Sequence, residues 1–292
     1  MQSQSALVKV PGTKVSLVPP DGLKLSERFP GFWDEETGLS ISIMEMPAPY
    51  SEIIKGFTKE ALDARGMRLL SNREISFNGR AGILLQLWLE GQSGPVLSWM
   101  AAIGNEKETV LVNASFPERM KAQVSSAMEK SALSVQWDAE AKIDPLASLS
   151  FSFDEDSALK FAGRVSNTVV LAKDGVLTNG PTTDPIFVIS SSFWRMTIPD
   201  IKKFALDRLT EEDKVFGIAI KKQSDVTIAG LPGSEIIAEG KWKDLPDAQV
   251  VIYQVLLLDG KDYFIMQGFA PREEQEKYLA IFNRIAKSFR KK

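Results

Sequence analysis

The chain contains neither cysteine nor histidine. Without cysteine there are no disulfides, no thiolate nucleophile and no thiolate zinc site. Without histidine there is no imidazole general acid or base, and a Ser-His-Asp triad is excluded. Long apolar runs are also missing. A membrane-crossing helix needs about 20 apolar residues, whereas the longest such stretch, residues 250–258, is broken by Gln254 and has the length of a strand. Neither charge sign dominates: 35 Lys and Arg stand against 38 Asp and Glu, net −3, so nothing points to a nucleic-acid or anionic-membrane surface. The phosphate-cradling patterns G-x-x-x-x-G-K-[ST] and G-x-G-x-x-G do not occur. Gly91-Gln-Ser93-Gly94-Pro95 approaches a nucleophile elbow, but its second glycine comes one position early and no histidine activates the serine. It reads as a turn between strands.

What is present is an ordinary globular composition, 44% hydrophobic and 25% charged, over 292 residues, a length that suits two domains. The chain is written twice. Ile75-Ser-Phe77-Asn-Gly79-Arg-Ala-Gly82 has the pattern of Val226-Thr-Ile228-Ala-Gly230-Leu-Pro-Gly233, an alternating strand entering a Gly-x-x-Gly turn. A second strand follows at 83–90 and 234–241, a third at 96–103 and 250–258. A fourth, at 110–116 and 263–269, leads to Pro117 and Pro271. Each copy ends in a helix, marked by Met120, Val124, Met128 and Val135 in the first and Leu279, Phe282, Ile285 and Phe289 in the second. Acidic residues in the first turn, Glu118 and Glu273-Glu274, suit the helix dipole. At the front of the copies, Leu39, Ile41 and Ile43 alternate, and residues 185–189 form an apolar strand. A short helix follows each, with Ile54, Phe57 and Ala61 on one face and a stop at Gly66, or with Ile201, Ala205 and Leu209 on one face and Asp200 as cap. These readings divide the chain into domains at 1–137 and 151–292, joined by a linker at 138–150. Residues 1–137 hold 14 Lys and Arg against 15 Asp and Glu, and the rest hold 21 against 23. Net charges of −1 and −2 leave apolar surface as the means of any docking between the halves.

Side chains alternate across a strand, so the two copies together assign faces. Leu85, Leu87 and Leu89 align with Ile236, Ala238 and Gly240, which makes theirs the core face. Trp88 is then expected to project away from the helix-covered core. Leu97, Trp99 and Ala101, aligned with Tyr253, Val255 and Leu257, place Trp99 in the core. The apolar residues left on the outer face are expected to be covered, most simply by the other half, or else to be a tolerated surface patch.

This order of elements resembles the PsbP-like fold. The family includes the extrinsic PsbP subunit of photosystem II, Ran-binding Mog proteins and small bacterial envelope lipoproteins. The likeness is carried by Val15-Ser-Leu-Val-Pro-Pro-Asp-Gly22 as opening strand and turn and by Phe29-Pro-Gly-Phe-Trp33 as aromatic loop. Asn78-Gly79-Arg-Ala-Gly82 matches the central turn, and Phe116-Pro117 the entry to the last helix. The second copy departs at its front, where Lys173-Asp-Gly175 replaces the Pro-Pro-x-Gly turn. The resemblance implies an α+β chain of two tandem PsbP-like domains, each an antiparallel sheet flanked by a short helix and a long C-terminal helix. It also implies mostly non-enzymatic roles in binding or assembly, without naming a partner.

Candidate contact residues follow from the aromatics. Phe29, Phe32 and Trp33 lie beside a Pro-Gly turn and an acidic run, and aromatics anchor interfaces. The alternative is that Phe29 and Phe32 tuck into the core. Trp194 and Arg195 occupy a similar place in the second copy, and Trp88 completes the set. No catalytic residue, metal ligand or cofactor is expected. Asp154-Glu155-Asp156 and Asp34-Glu35-Glu36 lack EF-hand spacing and read as solvated loops. Asn113-Ala-Ser115 matches the glycosylation pattern but falls in a strand. The leading expectation is a non-catalytic envelope or periplasmic protein with a protein partner. A small-ligand-binding protein with a site between the domains is the alternative, and a carboxylate-based hydrolase the third reading. The absence of cysteine suits an oxidising compartment, and the opening Met1-Gln-Ser-Gln-Ser-Ala reads as a mature start with an added Met or as a polar tail. Many cytosolic chains also have few cysteines, so the compartment stays open here.

Overall fold

The structure, a computed structural model, describes residues 6–77, 79–91, 94–178, 180–193, 195–211 and 214–292. It separates into two compact units, Met1–Ser148 and Leu149–Lys292. Unit 1 contains a seven-stranded antiparallel sheet. Its strands are β1 (Lys24–Leu25), β2 (Gly31–Asp34), β3 (Leu39–Met46), β4 (Met67–Phe77), β5 (Arg80–Gly91), β6 (Gly94–Gly104) and β7 (Thr109–Pro117). They lie in the order β1-β2-β3-β7-β6-β5-β4. Unit 2 has β8 (Lys160–Val165), β9 (Thr168–Ala172), β10 (Ile186–Ser191), β11 (Val215–Ile228), β12 (Leu231–Trp242), β13 (Gln249–Asp259) and β14 (Asp262–Pro271). Their order, β8-β9-β10-β14-β13-β12-β11, is the same path through a sheet.

The helices are α1 (Tyr50–Ile53), α2 (Lys59–Asp63) and α3 (Lys121–Leu133) in unit 1, and α4 (Ile201–Thr210) and α5 (Gln275–Lys287) in unit 2. Helix α4 starts where the Asp200 carboxylate accepts the Lys203 N–H, 3.0 Å, which satisfies one of the donors a helix start leaves open. Helix α2 is capped in the same way by Thr58, which accepts the Ala61 N–H at 3.2 Å. Helices α3 and α5 have no such cap; each is preceded by a short 3-10 turn that follows Pro117 or Pro271.

Each unit ties its two ends together. Val15–Leu17 pairs with both Val8–Lys9 and Gln136–Trp137, and Phe151–Ser152 pairs with Arg290–Lys291. The Phe151 ring stacks on Phe289 at 5.8 Å in the second of these closures. Residues 138–148 continue unit 1 as turns, held by the Asp138 N–H on the Lys14 carbonyl.

The register corrects the assignment of faces. Leu85 pairs with Met100, and Gln86 with Trp99. Leu85 and Trp99 therefore lie on opposite faces of the sheet, not on one core face. Trp88 does not project away from the core under the long helix. It packs with Leu84, Leu97, Ala101 and Phe116 in the cluster that includes Met128 and Ala132 of α3. The other face is apolar for its own reason: Leu85, Leu87 and Met100 cluster with Leu62 of α2. Pairing of Gly82 with Ile103 and of Gly233 with Leu257 also aligns Trp99 with Tyr253, two places from the alignment of Leu97 with Tyr253. In unit 2 one face holds Ile236, Ala238, Ile252 and Leu256 against Ala205 and Leu209 of α4. On the other, Phe187 and Tyr253 pack on Phe282 of α5, with centroids 5.4 and 6.2 Å away.

One glycine sets how closely β2 approaches β3. Gly31 has φ +145°, and a Cβ there would lie 1.9 Å from the Ile41 carbonyl oxygen.

Candidate interaction surface

The candidate residues do not form one site. Phe29 and Phe32 are each 2% exposed, so their rings belong to the interior and only Trp33 of that loop reaches the surface. The Arg28 guanidinium lies 4.9 Å from the Trp33 ring centroid. The Trp33 indole N–H is buried without a hydrogen-bond partner among the described residues. Register places Trp33 in the row Ser40, Ser115, Ser98 and Leu87. Trp88 belongs to the next row, with Leu97 and Phe116. The two tryptophans therefore sit on opposite faces of the same sheet. Arg195 is exposed and faces Asp262 at 3.6 Å. Trp194 lies outside the described residues, as do Asn78 of the central turn and Gln92 and Ser93 of the suspected elbow.

Around Trp88 the geometry is specific. Arg68 of β4 stacks on its ring, 4.6 Å from the centroid, and its Nε1–H donates to Glu118 Oε2, 3.3 Å, at the entry to α3. The corresponding place in unit 2 holds a different trio. Glu239 of β12 accepts from Lys221 Nζ at 3.0 Å and Arg272 Nε at 3.2 Å. The Lys221 ammonium, followed by Arg272, holds the Glu239 carboxyl below the usual range. Arg272 also donates to Gln249 Oε1 at 2.8 Å. Beside it opens a surface groove of about 560 Å³, lined by Thr183, Asp247, Gln249, Arg272 and Gln275 among others.

Farther along the sheet, Arg73 of β4 meets Glu129 of α3 at 2.5 Å in unit 1. In unit 2 the equivalent tie has moved its carboxylate from helix to strand. Glu235 of β12 accepts from Tyr253 Oη at 2.9 Å, Asn283 Nδ2 of α5 at 3.3 Å and Ser224 Oγ at 3.4 Å. Burial, reinforced by the nearby Glu235 charge, pushes the Tyr253 phenol far up, so it stays a neutral donor.

On the face of unit 1 that carries Trp33, beside the cluster of Leu85, Leu87 and Met100, lies a polar patch in which Ser98 is bonded to Asn113 and Asn113 Nδ2 donates to Ser115 Oγ at 3.1 Å. That network occupies the amide of the Asn-Ala-Ser pattern. In unit 2 a pair of glutamines takes part of this role: Gln267 donates to Gln254 at 3.0 Å, and Gln254 to the Ala205 carbonyl at 2.6 Å.

The acidic runs are engaged in structure. Asp154 pairs with Arg290 at 2.5 Å and Asp156 with Arg284 at 2.7 Å, while Asp34 accepts from Glu36 N and Thr37 Oγ. Among the described residues no group of three or more His, Cys, Asp or Glu side chains could hold a metal ion. No helix among them is long and apolar enough to cross a membrane. Sequence reading missed Glu45. Its carboxylate accepts the Lys14 backbone N–H at 2.9 Å, and burial pushes its carboxyl above the ordinary range. Only the chain's return past β3 brings Lys14 there, a contact 31 residues distant in sequence.

No protein-family model matches the chain, and no curated protein does. Among solved structures, it is similar to the immunity protein TplEi of the type VI secretion system of Pseudomonas aeruginosa. That match has 11% identity, covers 100% of this chain and 99% of that one, and has a TM-score of 0.37. It is also similar to cyanobacterial PsbP (CyanoP) from Synechocystis, with 17% identity, coverage of 47% and 95%, and a TM-score of 0.33. LpqN, involved in cell envelope biogenesis of Mycobacterium tuberculosis, matches with 13% identity, coverage of 48% and 82%, and a TM-score of 0.36. At these identities and TM-scores the likenesses assign no function.

Proposed function

We propose that the chain is a non-catalytic protein-binding protein of an exported compartment, built from two tandem PsbP-like domains. The observation that carries this reading is how the ionisable clusters are used. Glu45 holds an N-terminal strand, Arg73 with Glu129 and Glu235 with Asn283 join helix to sheet, and Asp154 and Asp156 tie the start of unit 2 to its end. Titratable groups that serve a reaction converge on one cleft with perturbed pKa values; these are dispersed and structural. The exported location is supported by a chain of 292 residues with no thiol to oxidise. The contact residues proposed are Trp33, Trp88 and Arg195.

The test is quantitative binding. A protein isolated with this one by cross-linking in native envelope, then purified, should form a saturable complex of fixed stoichiometry by calorimetry. Cross-links should map to the surfaces of Trp33, Trp88 or Arg195. If no purified candidate shows saturable binding, the reading fails.

A further inference from the structure

We infer that the free edge of unit 2, strand β11, is a docking strand for an extended, acidic segment of a partner protein, added as a further strand to the sheet. The inference rests on the protein-binding reading above and specifies the surface and the partner's chemistry.

Both sheets end in a long strand with no paired strand on its outer side among the described residues, β4 in unit 1 and β11 in unit 2. An open edge presents unpaired backbone N–H and C=O groups, and proteins usually guard it with bulges, charge or a covering element. Each strand here carries bulges: between Leu69 and Ser71 in β4, and between Phe216 and Ala219 and between Ile220 and Lys222 in β11. Beyond the bulge each keeps an unbroken register, residues 71–77 and 222–228. A stretch of seven residues is long enough to template a typical strand.

The two edges differ in what their side chains are doing. On β4 the cations are committed within the unit, Arg68 to the Trp88 ring and Arg73 to Glu129. On β11, Lys221 is committed to Glu239, but Lys222 is exposed with no ion-pair partner among the described residues. Lys241, across from Phe216 on β12, is in the same condition. Two large apolar side chains on β11 stand in solvent, Phe216 at 41% and Ile220 at 39% exposure, against Leu70 alone on β4. Alternation puts Phe216, Lys241 and Lys222 on the face of the sheet that carries Glu239.

This strip is basic and apolar on a chain whose net charge is −3. Strand addition draws affinity from main-chain hydrogen bonds and specificity from alternate side chains. A segment alternating apolar residues with Asp or Glu satisfies both requirements: carboxylates on the Glu239 face reach Lys222 and Lys241, and apolar side chains on the opposite face cover Ile220, which pairs with Ala238. A basic segment would meet like charge, and a second copy would bring its own Lys222 and Lys241.

The probes are labelled synthetic peptides of about twelve residues, one alternating valine with glutamate and one alternating valine with lysine, followed by fluorescence anisotropy with the full chain. The glutamate peptide is expected to bind at least about tenfold more tightly than the lysine peptide, with an advantage that shrinks as salt rises. Hydrogen exchange should slow in residues 222–228 and not in residues 71–77. The double variant Lys222→Glu with Lys241→Glu should reverse the preference while its melting temperature and circular dichroism stay unchanged; Lys222→Ala with Lys241→Ala should weaken binding without reversal. Equal affinity for the two peptides, protection elsewhere, or a double variant that binds as before overturns the inference. A partner complex that survives the double charge reversal at full affinity removes this edge and leaves the protein-binding reading intact. Peptide binding at β11 in a chain that forms no partner complex does the opposite.

Discussion

Where α3 crosses the sheet of unit 1, Ala114 and Met128 share the core cluster; at the corresponding places in unit 2 stand Gly268 and Phe282. The strand loses a methyl group where the helix gains a ring. A Cβ on Gly268 would lie 2.5 Å from the Phe282 ring, so the large helical side chain requires the bare backbone below it. Similar exchanges recur. Trp88 with Glu118 corresponds to Glu239 with Arg272, and Leu84 corresponds to Glu235 while Glu129 gives way to Asn283. The two units share a geometry of contacts, and different residue pairs fill each contact. A residue on one side of such a pair is therefore informative only together with its partner.

The pairing of Gly268 with Phe282 can be broken directly. Gly268→Ala should destabilise the protein by about 1–3 kcal/mol, the usual cost of overpacking a core. Adding Phe282→Met, which copies unit 1, should recover part of that loss. Urea unfolding of the single and double variants measures it, and strict additivity of the two changes would show that the positions do not compensate.

A smaller effect is expected at the helix-to-sheet tie. Tyr253→Phe removes a donor from Glu235 and should cost about 1 kcal/mol. Glu129→Gln in unit 1, where the ion pair with Arg73 is open to solvent, should cost less. Equal losses in thermal melts would contradict the distinction between the two ties.

The hairpin turns sharpen the comparison in the opposite direction. Ala229 and Gly230 have φ of +51° and +77° and join the Ile228–Leu231 pair, the signature of a two-residue type I′ turn. The first copy has Asn78-Gly79 in its sequence at this place. Ala229→Asn should stabilise the protein by about 1 kcal/mol, because an L-alanine pays for left-handed backbone that asparagine tolerates. A lowered midpoint in urea would refute this.

The smallest expected effect depends on pH. The folded Glu45 carboxyl titrates above its ordinary value of 4.5 because it is buried. Its contribution to stability is therefore fully present below that value and is lost as pH rises through the folded pKa. Glu45→Gln keeps an acceptor for the Lys14 N–H and removes the titration. The variant should gain stability relative to the parent as pH rises from about 4.5 towards neutrality. A constant difference across that range would show that Glu45 is not penalised by burial.

How much was legible beforehand follows from which residues are half-buried. Helices α3 and α5 could be read because one stripe faces a sheet, and Pro117 and Pro271 mark their approach. Strands β6, β7, β13 and β14 stood out as apolar runs between glycine turns. Most of β4 and β11 did not, since Ser71-Asn72-Arg73-Glu74 and Lys221-Lys222-Gln223-Ser224-Asp225 lie on open edges and bury too little to alternate. Faces were misassigned in β5 for the reverse reason: both sides of Leu84-Leu85-Gln86-Leu87-Trp88 are packed, so period-two patterning gives no direction. In the aromatic loop, composition marked three rings as candidates; Phe32 turns inward from the paired strand β2 and Phe29 from the bend before it.

The repeat, the strand-turn-strand rhythm, the terminal helices and the lack of thiol and imidazole chemistry were determined by the sequence alone, because each depends on neighbours in the chain or on composition. Which face a side chain takes, which carboxylate meets which cation, and which edge keeps uncommitted lysines were decided only by tertiary structure. Those properties depend on register between strands far apart in sequence, where a shift of one residue exchanges every inward side chain for its outward neighbour.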